Sequence, residues 1–92
     1  MIVKVTKGHI KQGTPDCGNT CPVALALKDA GIEKPWVDPD GWEEDGKVGV
    51  YEFSGRVSKF IVDFDNRRDR HFLKPFTFRT RKPRANRRRS KR

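Results

Sequence analysis

The stretch TCPVALALKDAG, residues 20–31, carries the clearest structural signal in the chain. Pro22 suits a first helical turn, where its missing N–H has no partner to lose. Thr20 or Cys21 stands before it as the N-cap, and the threonine hydroxyl is chemically the better acceptor. Val23, Ala26, Leu27 and Ala30 follow at helical spacing, and Gly31 is well placed as the C-terminal stop. The reading is a short helix over residues 22–30. Its packing face is mostly small side chains, which lets a sheet approach closely.

On the N-terminal side, residues 2–6, IVKVT, are β-branched and alternate. They read as a strand with Val3 and Val5 on one face and Ile2, Lys4 and Thr6 on the other. Residues 8–18 are rich in Gly, Pro, Asp and Gln and read as a loop. On the C-terminal side, residues 34–47, KPWVDPDGWEEDGK, read as an acidic loop around DPDG, a type I turn signal with Pro at its second position. Residues 48–53 read as a second strand, broken by Ser54-Gly55. In residues 56–65, Val57, Phe60, Ile61 and Phe64 lie at i, i+3, i+4 and i+7, a full apolar stripe and hence a second helix. Residues 66–70 form a charged turn. Residues 75–80, PFTFRT, start with Pro and alternate, so they read as a third strand at a sheet edge. The expected fold class is α+β. It has β-α-β-α-β order and a three-stranded sheet with two short helices on one face.

The charge is divided unevenly. Of 21 Lys and Arg, nine lie in the last fourteen residues, where no Asp or Glu occurs: Arg79, Arg81, Lys82, Arg84, Arg87, Arg88, Arg89, Lys91 and Arg92. Residues 1–78 hold the other 12 cations against all 12 carboxylates and are formally neutral. The chain therefore divides into a compact domain, residues 1–80, and an arginine-rich tail, residues 81–92. Beyond Thr80 the tail has only Ala85 as an apolar residue, so burial cannot offset the entropy of ordering. Disorder in the free protein is the expectation. No run approaches the roughly 18–20 apolar residues that cross a bilayer, and MIVKVTKGHIKQG has no apolar signal core. A soluble, cytoplasmic protein without a membrane partner is expected.

Guanidinium groups bind phosphate bidentately and stay charged at physiological pH. The tail therefore points to nucleic acid, DNA or RNA, and its lack of aromatics argues against base stacking. Arg67, Arg68 and Arg70 would extend the basic surface onto the body. The acidic loop carries Trp36 and Trp42, and each either seals the core edge or anchors a partner protein. The loop itself reads as solvated or as folding against the basic tail. It is no calcium loop, because position twelve counted from Asp38 is Gly49, not a bidentate Glu. Cys17 and Cys21 have zinc-like spacing, but His9 and His71 do not form a second ligand pair, so free thiols, no metal and no cofactor are expected. Asp63, Asp65 and Asp69 read as solvated charges. No nucleophile–base pair or paired-carboxylate signature marks an enzyme.

Two segments, HIKQGTPDCGNTCPVALALKDAG and VSKFIVDFDNRRDRHFLKPFTFR, resemble small proteins encoded by phages of actinobacteria. The shared positions are His9, Ile10, Gly13, Cys21, Pro22 and Val23 to Leu27, then Phe60, Ile61, Phe64, Asp65, Pro75, Phe76 and Phe78. The resemblance covers about half the chain and brings a phage context but no assigned activity. The arginine tail and the Trp-bearing acidic loop depart from it. Taken with that context, the tail leads to the expectation of a non-enzymatic phage-type accessory protein holding nucleic acid largely independently of sequence; the alternative is a host-takeover or anti-defence protein that binds and inhibits a host protein through its folded body.

Overall fold

The computed structural model describes residues 1–45, 50–66 and 73–81. The elements are β1 (Ile2–Val5), α1 (Lys7–Gln12), α2 (Pro22–Asp29), β2 (Pro35–Asp38), β3 (Gly41–Glu44), β4 (Tyr51–Glu52), α3 (Gly55–Asn66) and β5 (Phe76–Arg79). The class is α+β, with two small sheets in place of the single expected one. β1 pairs antiparallel with β5, and a separate sheet has the order β2-β3-β4.

The two expected helices form. Cys21, not Thr20, caps α2, its Sγ accepting from the Ala24 N–H at 3.5 Å. Beyond the C-cap Ala30, Gly31 takes φ 108°, the left-handed region in which glycine has no Cβ penalty. Its N–H donates to Lys28 O, and the Ile32 N–H reaches back to Leu27 O, closing the last turn of α2. Val23, Ala24, Ala26 and Leu27 are buried, while Ala30 falls on the exposed side. In α3 the whole stripe Val57, Phe60, Ile61 and Phe64 is buried.

Three expectations need correction. Residues 8–12, expected as loop, belong to the helix α1 (Lys7–Gln12). The turn is held by its cap: the Thr6 hydroxyl accepts from the His9 N–H at 3.2 Å, and the Thr6 N–H donates to His9 Nδ1 at 3.0 Å. This reciprocal box puts the ring proton on Nε2, which donates to Asp29 Oδ2 at 2.6 Å and ties α1 to the end of α2. A six-residue helix has too little length to show an apolar stripe, so the sequence pattern is silent.

The acidic loop is also structured. DPDG is the turn it was read to be, with Asp38 Oδ1 accepting from the Asp40 and Gly41 N–H groups at 2.9 and 3.1 Å. It closes a hairpin of β2 and β3 in the register Val37↔Trp42 and Trp36↔Glu43. Strands carrying Asp38, Glu43 and Glu44 run against β propensity; burial of Val37 and Trp42 on the inner face overrides it. Among the described residues the second expected strand is Tyr51–Glu52, and its expected start, residues 48–49, lies outside them.

The expected three-stranded sheet of residues 2–6, 48–53 and 75–80 does not form. The first and third of these strands pair with each other, while the second joins the hairpin. Val3 and Val5 face the core, as the alternation predicts. One cluster unites Val3, Val5, Leu27, Trp42, Val57, Phe64 and Phe78 with their neighbours.

Candidate nucleic-acid interface

The β1–β5 ribbon places the first tail cations. Its inner face carries Val3, Val5, Phe76 and Phe78. Its outer face carries Ile2, Lys4, Thr77 and Arg79, through the pairs Ile2↔Arg79 and Lys4↔Thr77. Lys4 and Arg79 are exposed and stand diagonally across this outer face. Arg56, in the first turn of α3, covers the ribbon's edge. Its guanidinium donates to Thr77 O at 2.6 Å and lies 5.7 Å from the Phe76 ring centre. Sequence reasoning missed both groups. Lys4 was legible, being opposite Val3 and Val5 in the alternation, whereas nothing local in RVSK places Arg56 beside residue 77.

Thr80 fixes the point where the tail leaves. The Met1 nitrogen donates to Thr80 O at 2.9 Å, and the Thr80 N–H donates to Met1 O at 3.0 Å. The Trp42 indole N–H adds a bond to the Thr80 hydroxyl at 2.8 Å. Arg79 and Arg81 therefore flank a residue held by three hydrogen bonds. Together with Met1, Val50, Tyr51 and Glu52 they line an open groove of about 780 Å³. The groove brings the Arg79 and Arg81 cations together with the Glu52 carboxylate and the side chains of Met1, Val50 and Tyr51.

Of the sequence-predicted cations, Arg79 and Arg81 are thus placed together. Lys82, Arg84, Arg87, Arg88, Arg89, Lys91 and Arg92 lie outside the described residues, and with them the expectation of tail disorder. Arg67, Arg68, Arg70 and His71 lie outside them too. Asn66, the last described residue before Arg67, ends α3 at the opposite end from Arg56, near where Asp65 Oδ1 accepts from the Asp16 N–H at 2.9 Å.

The tryptophans separate cleanly. Trp42 is 1% exposed and stacks on Tyr51 with ring centres 4.7 Å apart, so it is a core residue and not a surface anchor. Trp36 is 51% exposed on the outer face of the hairpin.

His9 is engaged with Thr6 and Asp29, and among the described residues no three His, Cys, Asp or Glu side chains converge. Both cysteines are free thiols in different surroundings. The Thr20 side chain, then the Asn19 backbone, hold the Cys17 thiol below its ordinary value. Burial pushes Cys21 up. Because thiolate is the nucleophile, Cys17 should be alkylated first, its rate reaching half-maximum at lower pH than an ordinary thiol. Cys21 should resist until the domain unfolds. Mass-spectrometric mapping of iodoacetamide labelling against pH checks this order, and equal labelling of the two would contradict it.

No protein-family profile matches the chain, and no curated protein or solved structure matches it either. The residues that carry the phage resemblance have structural tasks. His9 caps α1, Ile10 is buried, Asp65 holds the loop at Asp16, and Cys21 and Pro22 start α2. A Cβ at Gly13 would lie 2.5 Å from the Pro22 ring.

Proposed function

We propose that this chain is a non-enzymatic, phage-type accessory protein that binds nucleic acid through Arg79–Arg92, largely independently of base sequence. One observation carries the reading: a run of nine cations without a carboxylate begins with Arg79 and Arg81, which sit at an anchored strand end. Seven of the nine are Arg, the side chain best matched to phosphate. Lys4 and Arg56 give the body a share in the contact, while the hydrogen-bonded Thr80 keeps bound phosphate close to the ribbon.

With about six phosphate contacts, log K for duplex should fall against log salt with a slope near −5, at about −0.9 per contact. Fluorescence anisotropy with a labelled duplex and a labelled single-stranded RNA, from 50 mM to 500 mM salt, measures the slope for both. A full chain that binds neither at the lowest salt would sink the proposal.

A second reading is favoured by Trp36 alone. A half-exposed indole on a rigid hairpin is a typical protein anchor, and suits a body that binds and inhibits a host protein. Recovery of one stoichiometric host protein with nuclease-treated chain, together with no nucleic-acid binding, would select it.

A further inference from the structure

Trp36 is unusual in being both exposed and fixed. The indole lies on the backbone of Gly18, where an added Cβ would stand 2.8 Å from the ring, and the Val37 N–H beside it donates to Gly18 O at 2.7 Å. One face of the ring is therefore seated and the rest is open. Around it the hairpin's outer face is acidic. Trp36 pairs with Glu43, Asp38 is the next outward residue on its strand, and Glu52 on β4 belongs to the same face through Gly41. The adjoining groove of about 720 Å³ is lined by four carboxylates, Glu33, Glu43, Glu44 and Asp45, against two lysines, Lys28 and Lys34, so its balance is acidic. Glu33, Glu43 and Asp45 form no ion pair among the described residues. A seated indole with carboxylates around it suits a guanidinium, which can stack on the ring and reach a carboxylate together.

The chain supplies such a segment. Residues 82–92 hold seven cations and no carboxylate. They start from Arg81, which shares a groove with Glu52, at the β4 edge of this acidic face. Two strand spacings of roughly 4.8 Å and two residues along a strand separate Glu52 from Trp36, about 12 Å in all. Eleven residues reach about 36 Å when extended. The segment therefore begins beside the face, can cross it, and carries the complementary charge.

We propose that the Trp36 face docks the chain's own residues 82–92, so that the tail is held on the body until nucleic acid takes it. The inference rests on the phosphate-binding reading only for what displaces the tail. Docking in cis keeps the cations off unrelated polyanions, and binding of nucleic acid uncovers Trp36.

Acrylamide quenching of tryptophan fluorescence tests this on the full chain, since Trp42 is buried and the quenchable signal belongs to Trp36. A Trp36→Phe chain, losing that signal, confirms the assignment. At 20 mM salt the quenching constant of the wild type should be at most half that of a full-length chain whose seven cations beyond Arg81 are changed to Gln. In 1 M salt, where charge pairs are screened within about 3 Å, the two should converge. Glu43→Lys, an exposed change, should raise quenching in the wild-type background. A saturating 12-base-pair duplex should raise it as well. Equal quenching of wild type and tail variant at low salt overturns the inference. So does protection that vanishes on dilution, which would mean docking between copies. Salt-released protection in a chain that does not bind duplex would leave docking standing and remove the proposed function; duplex binding with equal quenching would do the reverse.

Discussion

Changing Lys82, Arg84, Arg87, Arg88, Arg89, Lys91 and Arg92 to Gln should lower duplex affinity at 0.1 M salt by roughly 10³–10⁴-fold. If six of the nine cations meet phosphate, the two left at Arg79 and Arg81 keep about two contacts and about four are lost. Each lost contact removes about 0.9 from the slope of log K on log salt. Between 1 M and 0.1 M salt, four contacts therefore amount to about 3.6 decades, and the slope should relax from near −5 to near −2. The described hydrogen bonds and core of residues 1–81 are untouched by these changes, so the far-ultraviolet circular dichroism should stay the same. Anisotropy titrations of both chains across one salt series give the two slopes directly. An unchanged slope would mean that the body, not the tail, supplies the contacts.

Replacing Trp42 by Ala should cost about 3–5 kcal/mol, the range for deleting a large buried aromatic. Trp42 is 1% exposed, stacks on Tyr51, and bonds Thr80 through its indole nitrogen. It thus joins the hairpin, β4 and the end of β5. A domain of about 80 residues has roughly 4–12 kcal/mol of stability in total, so the variant should be largely or partly unfolded at 37 °C. Trp42→Phe keeps a ring and loses the N–H, and should cost less, about 1–2 kcal/mol beyond small repacking. Urea unfolding followed by circular dichroism ranks the three proteins. A Trp42→Ala midpoint within error of the wild type would show that the hairpin does not share the core's cooperativity.

How much of this was legible depends on the length of each signal. α2 and α3 were readable because Pro22, Gly31 and the stripe Val57–Phe64 give a start, a stop and a period within one segment. β1 and β5 were readable as strands from their alternation, but not as partners. Their pairing joins Val3 to Phe78 across nearly the whole chain, and no local pattern records it. α1 was hidden because a cap and a His9–Asp29 bond sustain it, not an apolar face. The difference between Trp36 and Trp42 was one step away: with DPDG as a hairpin turn, Asp38↔Gly41 sets Val37 opposite Trp42 and sends both inward. Reading five nearby carboxylates as a loop concealed that register. In the candidate site, the charge count reached Arg79 and Arg81, while Arg56 and Lys4 depend on which strand lies beside which.

The ribbon that joins residues 1–5 to 76–80 also bears on how the molecule assembles. Closing a loop of that span costs more entropy than forming either helix or the β2–β3 hairpin, and contacts this distant in sequence slow folding. The hairpin and helices are expected to gather first around their own neighbours, and Lys4, Arg56 and Arg79 to come together as the ribbon pairs. The grouping of these three cations is therefore expected late in folding. A chain in which the ribbon has not paired would carry the tail's charge without the strand end at Thr80 from which residue 81 continues.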